Sequence, residues 1–216
     1  MQQTNGEHMT WLSQIIFSCR KALQGDQYLA HLSLSEDALH ALLESKTVAI
    51  VGNARSLETQ NYGAEIDAHD IVIRLNNAPI IAAVSHGHRT DWMAVAKHIS
   101  KQTLQARNPD LLLWMPAHRK RLDWRMVNYS KFYLNSPERN DELKAKLGAS
   151  SSVGCKTIDL IRRTNAAKVT LYGFDFFASL SLSGNRTADQ VPHNFSAEKE
   201  MVENLIARDT RFSLRT

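Results

Sequence analysis

Short runs of consecutive apolar residues alternate along this chain with amphipathic stretches. Runs of four or five such residues are typical of strands that are buried on both faces of a parallel sheet. Six runs predict strands, at 47–51, 71–75, 92–96, 111–115, 131–134 and 168–172. Helical stretches at 137–147 and 154–163 separate some of them, as in βα units. The pattern therefore predicts an α/β fold whose mostly parallel sheet is flanked by helices.

Two further helices are predicted ahead of the first strand. Apolar residues recur at helical spacing in the first of them, at Trp11, Leu12, Ile15, Ile16 and Leu23. Ser35 is a suitable N-cap for the second. We expect residues 1–46 to pack as a helical segment on one domain at 47–216. Peripheral contact with a membrane is the alternative for the first helix, but its polar face is not rich in Lys and Arg.

Composition narrows the class of protein without fixing its function. Lys and Arg exceed Asp and Glu by four in 216 residues, which favours anionic ligands but does not require nucleic acid. Cys19 and Cys155 form no C-x-x-C pair, so the sequence encodes neither a disulfide framework nor a zinc cage. No run reaches the roughly 18 apolar residues of a membrane span, and the start has no basic signal region. We expect a cytoplasmic protein.

Glycine and asparagine residues follow two neighbouring predicted strands. Gly52 and Asn53 come after the first strand and precede an expected helix start, and Asn76 ends the second strand. The carboxyl ends of parallel strands meet at one edge, so these amides could hold a phosphate there without a metal, with Gly52 allowing close backbone approach. Ordinary turns explain the same residues. There is no G-x-G-x-x-G sequence and no P-loop lysine, which weakens a dinucleotide or ATP interpretation.

A charged residue, Arg74, lies inside the second predicted strand. A buried charge needs a partner, and Asp67, Asp70 and Asp91 are the candidates.

Three later segments also carry candidate chemistry. A run of serines, 150–152, is followed by Gly154 at a predicted helix start. Ser152 and Gly154 suit either an anion-binding site or a helix N-cap. Gly173 and Phe174 follow the sixth strand and suit either a nucleotide base or an aromatic core cluster. His193 lies just ahead of another helix that contains Glu198, which makes it a candidate general base, although a lone histidine is usually a surface residue.

Together these segments resemble glycosyltransferase family 29, the sialyltransferase family. Residues 48–90 are similar to its large sialyl motif, 152–174 to its small motif and 193–198 to its very small motif, in the family's order. The resemblance implies a modified glycosyltransferase-A, Rossmann-like fold. It also implies transfer of a sialic-acid-type sugar from a CMP-activated donor to a glycan or glycolipid hydroxyl, with inversion and with no metal or other cofactor.

The resemblance also implies a role for each matched residue. Asn53 and Asn76 would bind the CMP phosphate, Ser152 and Gly154 the sugar-acid end or nucleotide, Gly173 and Phe174 the cytidine, and Gly52 would lie close to the donor. His193 would be the catalytic base, with Arg74 and Glu198 supporting the motifs. The chain departs from the family in two respects: Cys155 lacks the partner cysteine of the animal enzymes, and no third motif is matched between 177 and 191.

Two alternatives remain. CMP-activated 3-deoxy-manno-octulosonic acid (Kdo) has a similar anomeric centre and carboxylate, and the sequence barely separates it from CMP-sialic acid. A nucleic-acid-binding module is the other, built from basic residues beside two tryptophans: Arg119, Lys120, Arg121, Arg125, Trp114 and Trp124. It leaves the three ordered motifs unexplained, so we expect no nucleic-acid partner.

The basic stretch 118–125 could instead contact an anionic glycolipid or form a solvated helix face. His86 and His88 are too few for a metal site.

Overall fold

The protein has a seven-stranded sheet in which every strand pairing is parallel. A computed structural model describes residues 11–77, 79–176 and 193–215. The strands are β1 (Thr47–Val51), β2 (Ile71–Leu75), β3 (Trp92–Val95), β4 (Leu111–Trp114), β5 (Lys131–Leu134), β6 (Lys168–Tyr172) and β7 (Phe212–Arg215). Their order is β5-β4-β3-β2-β1-β6-β7. The prediction of a mostly parallel α/β sheet is confirmed, and β7 is a strand that the sequence pattern did not predict.

Helices flank the sheet and connect its strands. They are α1 (Trp11–Leu32), α2 (Glu36–Leu43), α3 (Gly63–Asp67), α4 (Ala83–His86), α5 (Lys101–Arg107), α6 (Trp124–Val127), α7 (Pro137–Leu147), α8 (Val153–Arg162) and α9 (Phe195–Arg208). The predicted caps Ser35 and Ser152 each accept a hydrogen bond from the backbone N–H three residues later. A helix is expected to start after Gly52-Asn53. The segment that follows β1 is a 3₁₀ helix, Arg55–Thr59, and not an α-helix.

The register of the central strands brings their carboxyl ends to one level. Val51, the last residue of β1, lies beside Arg74 of β2 and Tyr172 of β6. The residues that follow these three strands therefore emerge side by side. All five residues of β2 are buried, which matches the continuous apolar pattern of a strand covered on both faces.

The two N-terminal helices pack on the same sheet. Phe17 and Leu29 of α1 are buried, and the Phe17 ring lies 5.6 Å from that of Trp124 on α6. Leu39 and Leu43 of α2 join the main core. These contacts place both helices on the core, and the division of the chain into 1–46 and 47–216 stays a prediction.

Arg74 is almost completely buried, and its guanidinium is held by neutral oxygen atoms. Nε donates to the carbonyl of Arg89 at 2.8 Å and to Thr90 Oγ1 at 3.1 Å, and Nη2 donates to the carbonyl of His86 at 2.6 Å. Burial lowers the pKa of Arg74 to about 10, so the side chain remains charged at neutral pH. Arg74 thereby ties the segment after α4 to β2.

The expectation that an aspartate pairs directly with this arginine is wrong. Asp67 instead accepts the backbone N–H groups of His88 and Arg89 at 2.8–3.0 Å. Asp91 accepts from the backbone of β2 and from Arg89, and Asp70 from the start of β1. Asp67 and Asp91 still favour the charged arginine through longer-range attraction. A sequence shows that a charge is buried but not that carbonyl groups will satisfy it.

Trp114 is not available for the stacking surface that a nucleic-acid-binding module would need. Trp114 has no exposed surface, and its indole N–H donates to the carbonyl of His118. Arg119 is bound to Asp26 of α1 and to backbone carbonyls. Cys19 and Cys155 are both free. None of the helices in the described ranges is both long enough and apolar enough to cross a membrane.

Candidate functional site

A cavity of about 490 Å³ opens at the carboxyl ends of the central strands. Nine of the ten residues singled out from the sequence line it: Gly52, Asn53, Asn76, Ser152, Gly154, Gly173, Phe174, His193 and Glu198. The tenth, Arg74, lies within β2 and does not reach the cavity. The structure thus brings together residues that are up to 146 positions apart, from Gly52 to Glu198.

The ends of β1 and β6 lie in close backbone contact. Gly52 N–H donates to the carbonyl of Tyr172 at 2.7 Å, and Ala54 N–H donates to that of Gly173 at 3.1 Å. A Cβ on Gly52 would lie 2.3 Å from the Gly173 carbonyl oxygen, and Gly173 itself has a positive φ of 65°. Glycine is therefore required at both strand ends, and the cavity floor here is backbone.

Phe174 forms one wall of the cavity. A Cβ on Gly154 would lie 2.7 Å from Phe174 Cε1 and 3.3 Å from Leu75 Cδ1, so the ring packs directly on the start of α8. The side chain also packs against the main core. Both predicted roles for this aromatic residue are compatible with its position, since it lines the cavity and also packs against the core.

The two asparagine amides lie at the ends of β1 and β2. Asn53 Nδ2 donates to the carbonyl of Leu75 at 3.3 Å. Asn76 has a left-handed φ of 52°, and its Oδ1 accepts from Ala96 N–H at 3.2 Å. Because a backbone N–H needs an acceptor, the oxygen of Asn76 must face Ala96 and the NH₂ group must face away from it. Asn76 thus presents a donor group at the cavity.

The first turn of α8 offers two backbone donors to the cavity. The first four N–H groups of a helix have no partner within it. Here Ser152 N–H donates to Glu198, and Cys155 N–H donates to Ser152 Oγ at 3.1 Å. The N–H groups of Val153 and Gly154 have no acceptor among the described residues, and both residues line the cavity. An anion at this position would meet both donors and the positive end of the helix dipole.

Glu198 joins the start of α9 to the start of α8. Its Oε1 accepts Ser152 N–H and its Oε2 accepts the Ser152 hydroxyl, both at 2.6 Å, and the glutamate is 3% exposed. Burial raises the pKa of Glu198, although the bonds from Ser152 and the nearby His193 and Lys156 act in the opposite direction. The hydroxyl hydrogen of Ser152 is therefore committed to Glu198, which leaves the backbone as the donor at this helix start.

The imidazole of His193 is oriented by a backbone carbonyl. Nδ1 lies 2.7 Å from the carbonyl oxygen of Ser150, and a carbonyl can only accept. The ring therefore carries its proton on Nδ1 in the neutral state, and Nε2 keeps a lone pair. Phe195 packs against the ring edge at a centroid distance of 5.6 Å. This tautomer is the one that a general base acting through Nε2 requires.

Sequence reasoning missed several charged residues at the cavity. Lys97 follows β3, His118 and Arg121 lie in the loop after β4, and Asp175 follows Gly173-Phe174. The argument that identified the asparagines, polar residues just after buried strands, would have found Lys97 and Asp175. The sequence shows the basic stretch at 118–125 but not that it reaches the cavity, because its position depends on how the long loop after β4 folds. The segment without a matched third motif, 177–191, lies entirely outside the described residues.

No three His, Cys, Asp or Glu side chains come together as a metal-binding group in the part of the chain that the structure describes. Metal independence therefore stays a prediction about the reaction.

Comparison with known proteins places the chain in a family. Residues 7–146 match the family model described as glycosyltransferase family 29 (sialyltransferase). The mouse CMP-N-acetylneuraminate-beta-galactosamide-alpha-2,3-sialyltransferase 1 is 45% identical over 40 residues, which are 18% of this chain and 12% of the mouse protein. The human protein of that name is 46% identical over 43 residues, or 13% of its length. The matched segments thus span about an eighth of these relatives.

Solved sialyltransferase structures share the fold. A mammalian sialyltransferase in complex with Gal-beta-1-3GalNAc-ortho-nitrophenol aligns with a TM-score of 0.64 and 17% identity, over 97% of this chain and 87% of that one. The sialyltransferase CstII from Campylobacter jejuni in complex with the substrate analogue CMP-3FNeuAc aligns with a TM-score of 0.52 and 14% identity, over 78% of each chain. Because the family model matches residues 7–146, well over half of this chain, the chain belongs to glycosyltransferase family 29, the sialyltransferases.

Proposed function

We propose that the protein transfers a sialic-acid-type sugar from a CMP-activated donor to a hydroxyl of a glycan acceptor. The observation that carries the proposal is the cavity itself. There, amide and backbone donors at the ends of three strands and of one helix line the same cavity as His193, whose neutral ring keeps its lone pair on Nε2 because Nδ1 contacts the carbonyl of Ser150. Family membership supports this reading. So do the similar structures solved with a CMP-sugar analogue and with a trisaccharide acceptor and CMP.

The donor phosphate would be held by neutral groups. Asn53 and Asn76 lie on adjacent strand ends, and the N–H groups of Val153 and Gly154, which have no acceptor among the described residues, lie at the helix start. Negative charge grows on this phosphate as its bond to the sugar breaks. Fixed dipoles stabilise that charge without rearranging, which is the main way such sites lower a barrier. This arrangement supports metal-independent transfer.

The acceptor hydroxyl would be activated by His193. As its oxygen attacks the anomeric carbon from the face opposite the phosphate, the C–O bond to phosphate breaks and the hydroxyl proton passes to His193 Nε2. The configuration at the anomeric carbon is thereby inverted. General base catalysis of this kind contributes typically about 10²- to 10⁴-fold in rate. Since both cysteines are free, we also propose a reducing, cytoplasmic setting.

The proposed function is tested by supplying CMP-sialic acid and CMP-Kdo to the purified protein in excess EDTA and measuring CMP release. We expect turnover of at least one of them.

We also expect CMP to stabilise the fold by about 2.7 kcal/mol at a hundredfold excess over Kd, with UDP and GDP giving much less stabilisation. Equal thermal shifts with all three nucleotides would refute the donor assignment. Activity that returns only with Mg²⁺ or Mn²⁺ would refute metal independence.

Asn76→Asp isolates the phosphate contact. The substitution keeps volume, keeps an oxygen for Ala96 N–H, and suits the left-handed backbone, but it replaces the cavity-facing NH₂ with a carboxylate oxygen. We expect CMP affinity to fall about 10- to 100-fold in calorimetric titration, because a donor is lost and a negative charge is added. The melting temperature should change little. Unaltered CMP affinity would remove Asn76 from the phosphate site.

His193→Ala separates chemistry from binding. We expect kcat to fall about 10²- to 10⁴-fold while CMP affinity stays near that of the wild type, because the phosphate is held by other elements. His31→Ala, at an exposed histidine in the last turn of α1, is the matched control and should behave as wild type. Near-normal turnover by His193→Ala would show that another group is the base.

Glu198→Ala tests a positioning role. Two buried donors of Ser152 would lose their acceptor, which should cost roughly 1–3 kcal/mol of the free energy of unfolding. If the bonds also orient His193 through Ser150, kcat measured below the melting transition should fall more than KM for the donor rises. Glu198→Gln, which retains an acceptor for Ser152 N–H, should recover part of kcat. Glu203→Ala, at an exposed glutamate of α9, is the control. A loss of stability with unchanged kcat would limit Glu198 to a structural role.

A further inference from the structure

The outward face of α1 carries a continuous group of large apolar side chains. Leu23 is 84% exposed, Trp11 72%, Leu12 51%, Ile15 48% and Ile16 45%. At 3.6 residues per turn these five positions fall within an arc of roughly 140°. The core-facing Phe17 lies outside this arc. We call the five exposed side chains the α1 stripe. A soluble protein rarely leaves such a group uncovered unless it binds something.

Basic residues border the α1 stripe. Residues 11–25 contain Arg20 and Lys21 but no Asp or Glu. Lys21 Nζ donates to the carbonyl of Leu122 at 2.6 Å and to that of Arg119 at 3.3 Å, which fixes the intervening Lys120 and Arg121 beside the helix.

Three cations of this border form no ion pair. Lys120 and Arg121 are exposed, and neither they nor Arg20 pair with a carboxylate in the described ranges. Two carboxylates lie nearby: Asp26 is bound to Arg119 at 2.9 Å, and Asp123 attracts Lys21. The five basic residues at 20, 21 and 119–121 outnumber these two carboxylates, so the border keeps a net positive charge.

We propose that the α1 stripe and its basic border dock on an anionic lipid surface. Apolar side chains of an interfacial helix enter the boundary between headgroups and acyl chains, while Lys and Arg beside them meet anionic headgroups. Arg121 also lines the cavity, so a docked bilayer lies next to the cavity mouth. The proposal does not depend on the proposed function.

Other occupants suit this surface less well. A second copy packed on the same stripe about a two-fold axis would bring two borders of the same net positive charge together, whereas an anionic surface would neutralise that charge. Residues 1–10 contain only Met1 and Met9 as large apolar residues, so this segment supplies too few to cover five side chains.

Vesicle flotation tests the proposal. The purified chain is mixed with vesicles of phosphatidylcholine alone or of phosphatidylcholine with phosphatidylglycerol. We expect flotation with the anionic vesicles, weakening as salt is raised. Leu23→Ser should reduce partitioning about tenfold through lost apolar burial. Lys120→Ala and Arg20→Ala should each reduce it about fivefold through lost headgroup attraction.

Val84→Ser is the matched control, because Val84 is 62% exposed but lies on α4 and outside the stripe. It should float as the wild type does. Absence of flotation with anionic vesicles, or equal losses in Val84→Ser and Leu23→Ser, would overturn the proposal. So would a dimer in sedimentation equilibrium that Leu23→Ser dissociates and that binds no vesicles. CMP titration of the same samples reports on the proposed function separately, since CMP binding does not require the stripe.

Discussion

The carboxylate of Glu198, bound to both the backbone and the hydroxyl of Ser152, connects the parts of the cavity that come from different elements. It fixes the start of α9 to the start of α8. Two residues before Ser152, the carbonyl of Ser150 orients His193, which itself lies five residues before Glu198. These contacts form a closed ring that holds the start of α8 and His193 in place. The start of α8 offers the N–H groups of Val153 and Gly154, which have no acceptor among the described residues, and the neutral ring of His193 offers the lone pair of Nε2. Burying a carboxylate is costly, and the two short bonds from Ser152 offset that cost.

A second constraint is the close approach of backbones at the strand ends. Gly52 and Gly173 leave no room for side chains between β1 and β6, and Gly154 lets Phe174 pack on α8. The floor and one wall of the cavity are consequently rigid. Donors that are held in place need little reorganisation when charge develops on a bound phosphate. The close packing that requires glycine at these positions therefore also favours catalysis at this site.

Much of the fold could be predicted from the sequence because the central strands are buried on both faces. Their apolar runs are continuous, and β1 to β6 stand within a residue of the predicted bounds. β7 was missed because it is short, only partly buried, and preceded by charged residues, so no apolar run marks it. Candidate residues were located for the same reason: polar residues directly after buried strands must gather at one edge.

Contacts that depend on tertiary packing could not be predicted. The partner of Arg74 is a set of carbonyl groups that only the path of the 86–90 segment brings close. Ser152 and Glu198 are 46 residues apart, and their pairing leaves no local pattern. The functional roles of the matched residues came from the family resemblance, because physical patterns alone left turns and caps as equal explanations.

A crystal structure of the protein with CMP or a non-transferable CMP-sugar tests the central claim most directly. We expect the phosphate within hydrogen-bond distance of the side-chain nitrogen atoms of Asn53 and Asn76. In the CMP-sugar complex, we expect His193 Nε2 on the side of the anomeric carbon opposite the phosphate. A nucleotide bound elsewhere, or one whose phosphate contacts neither asparagine, would contradict it.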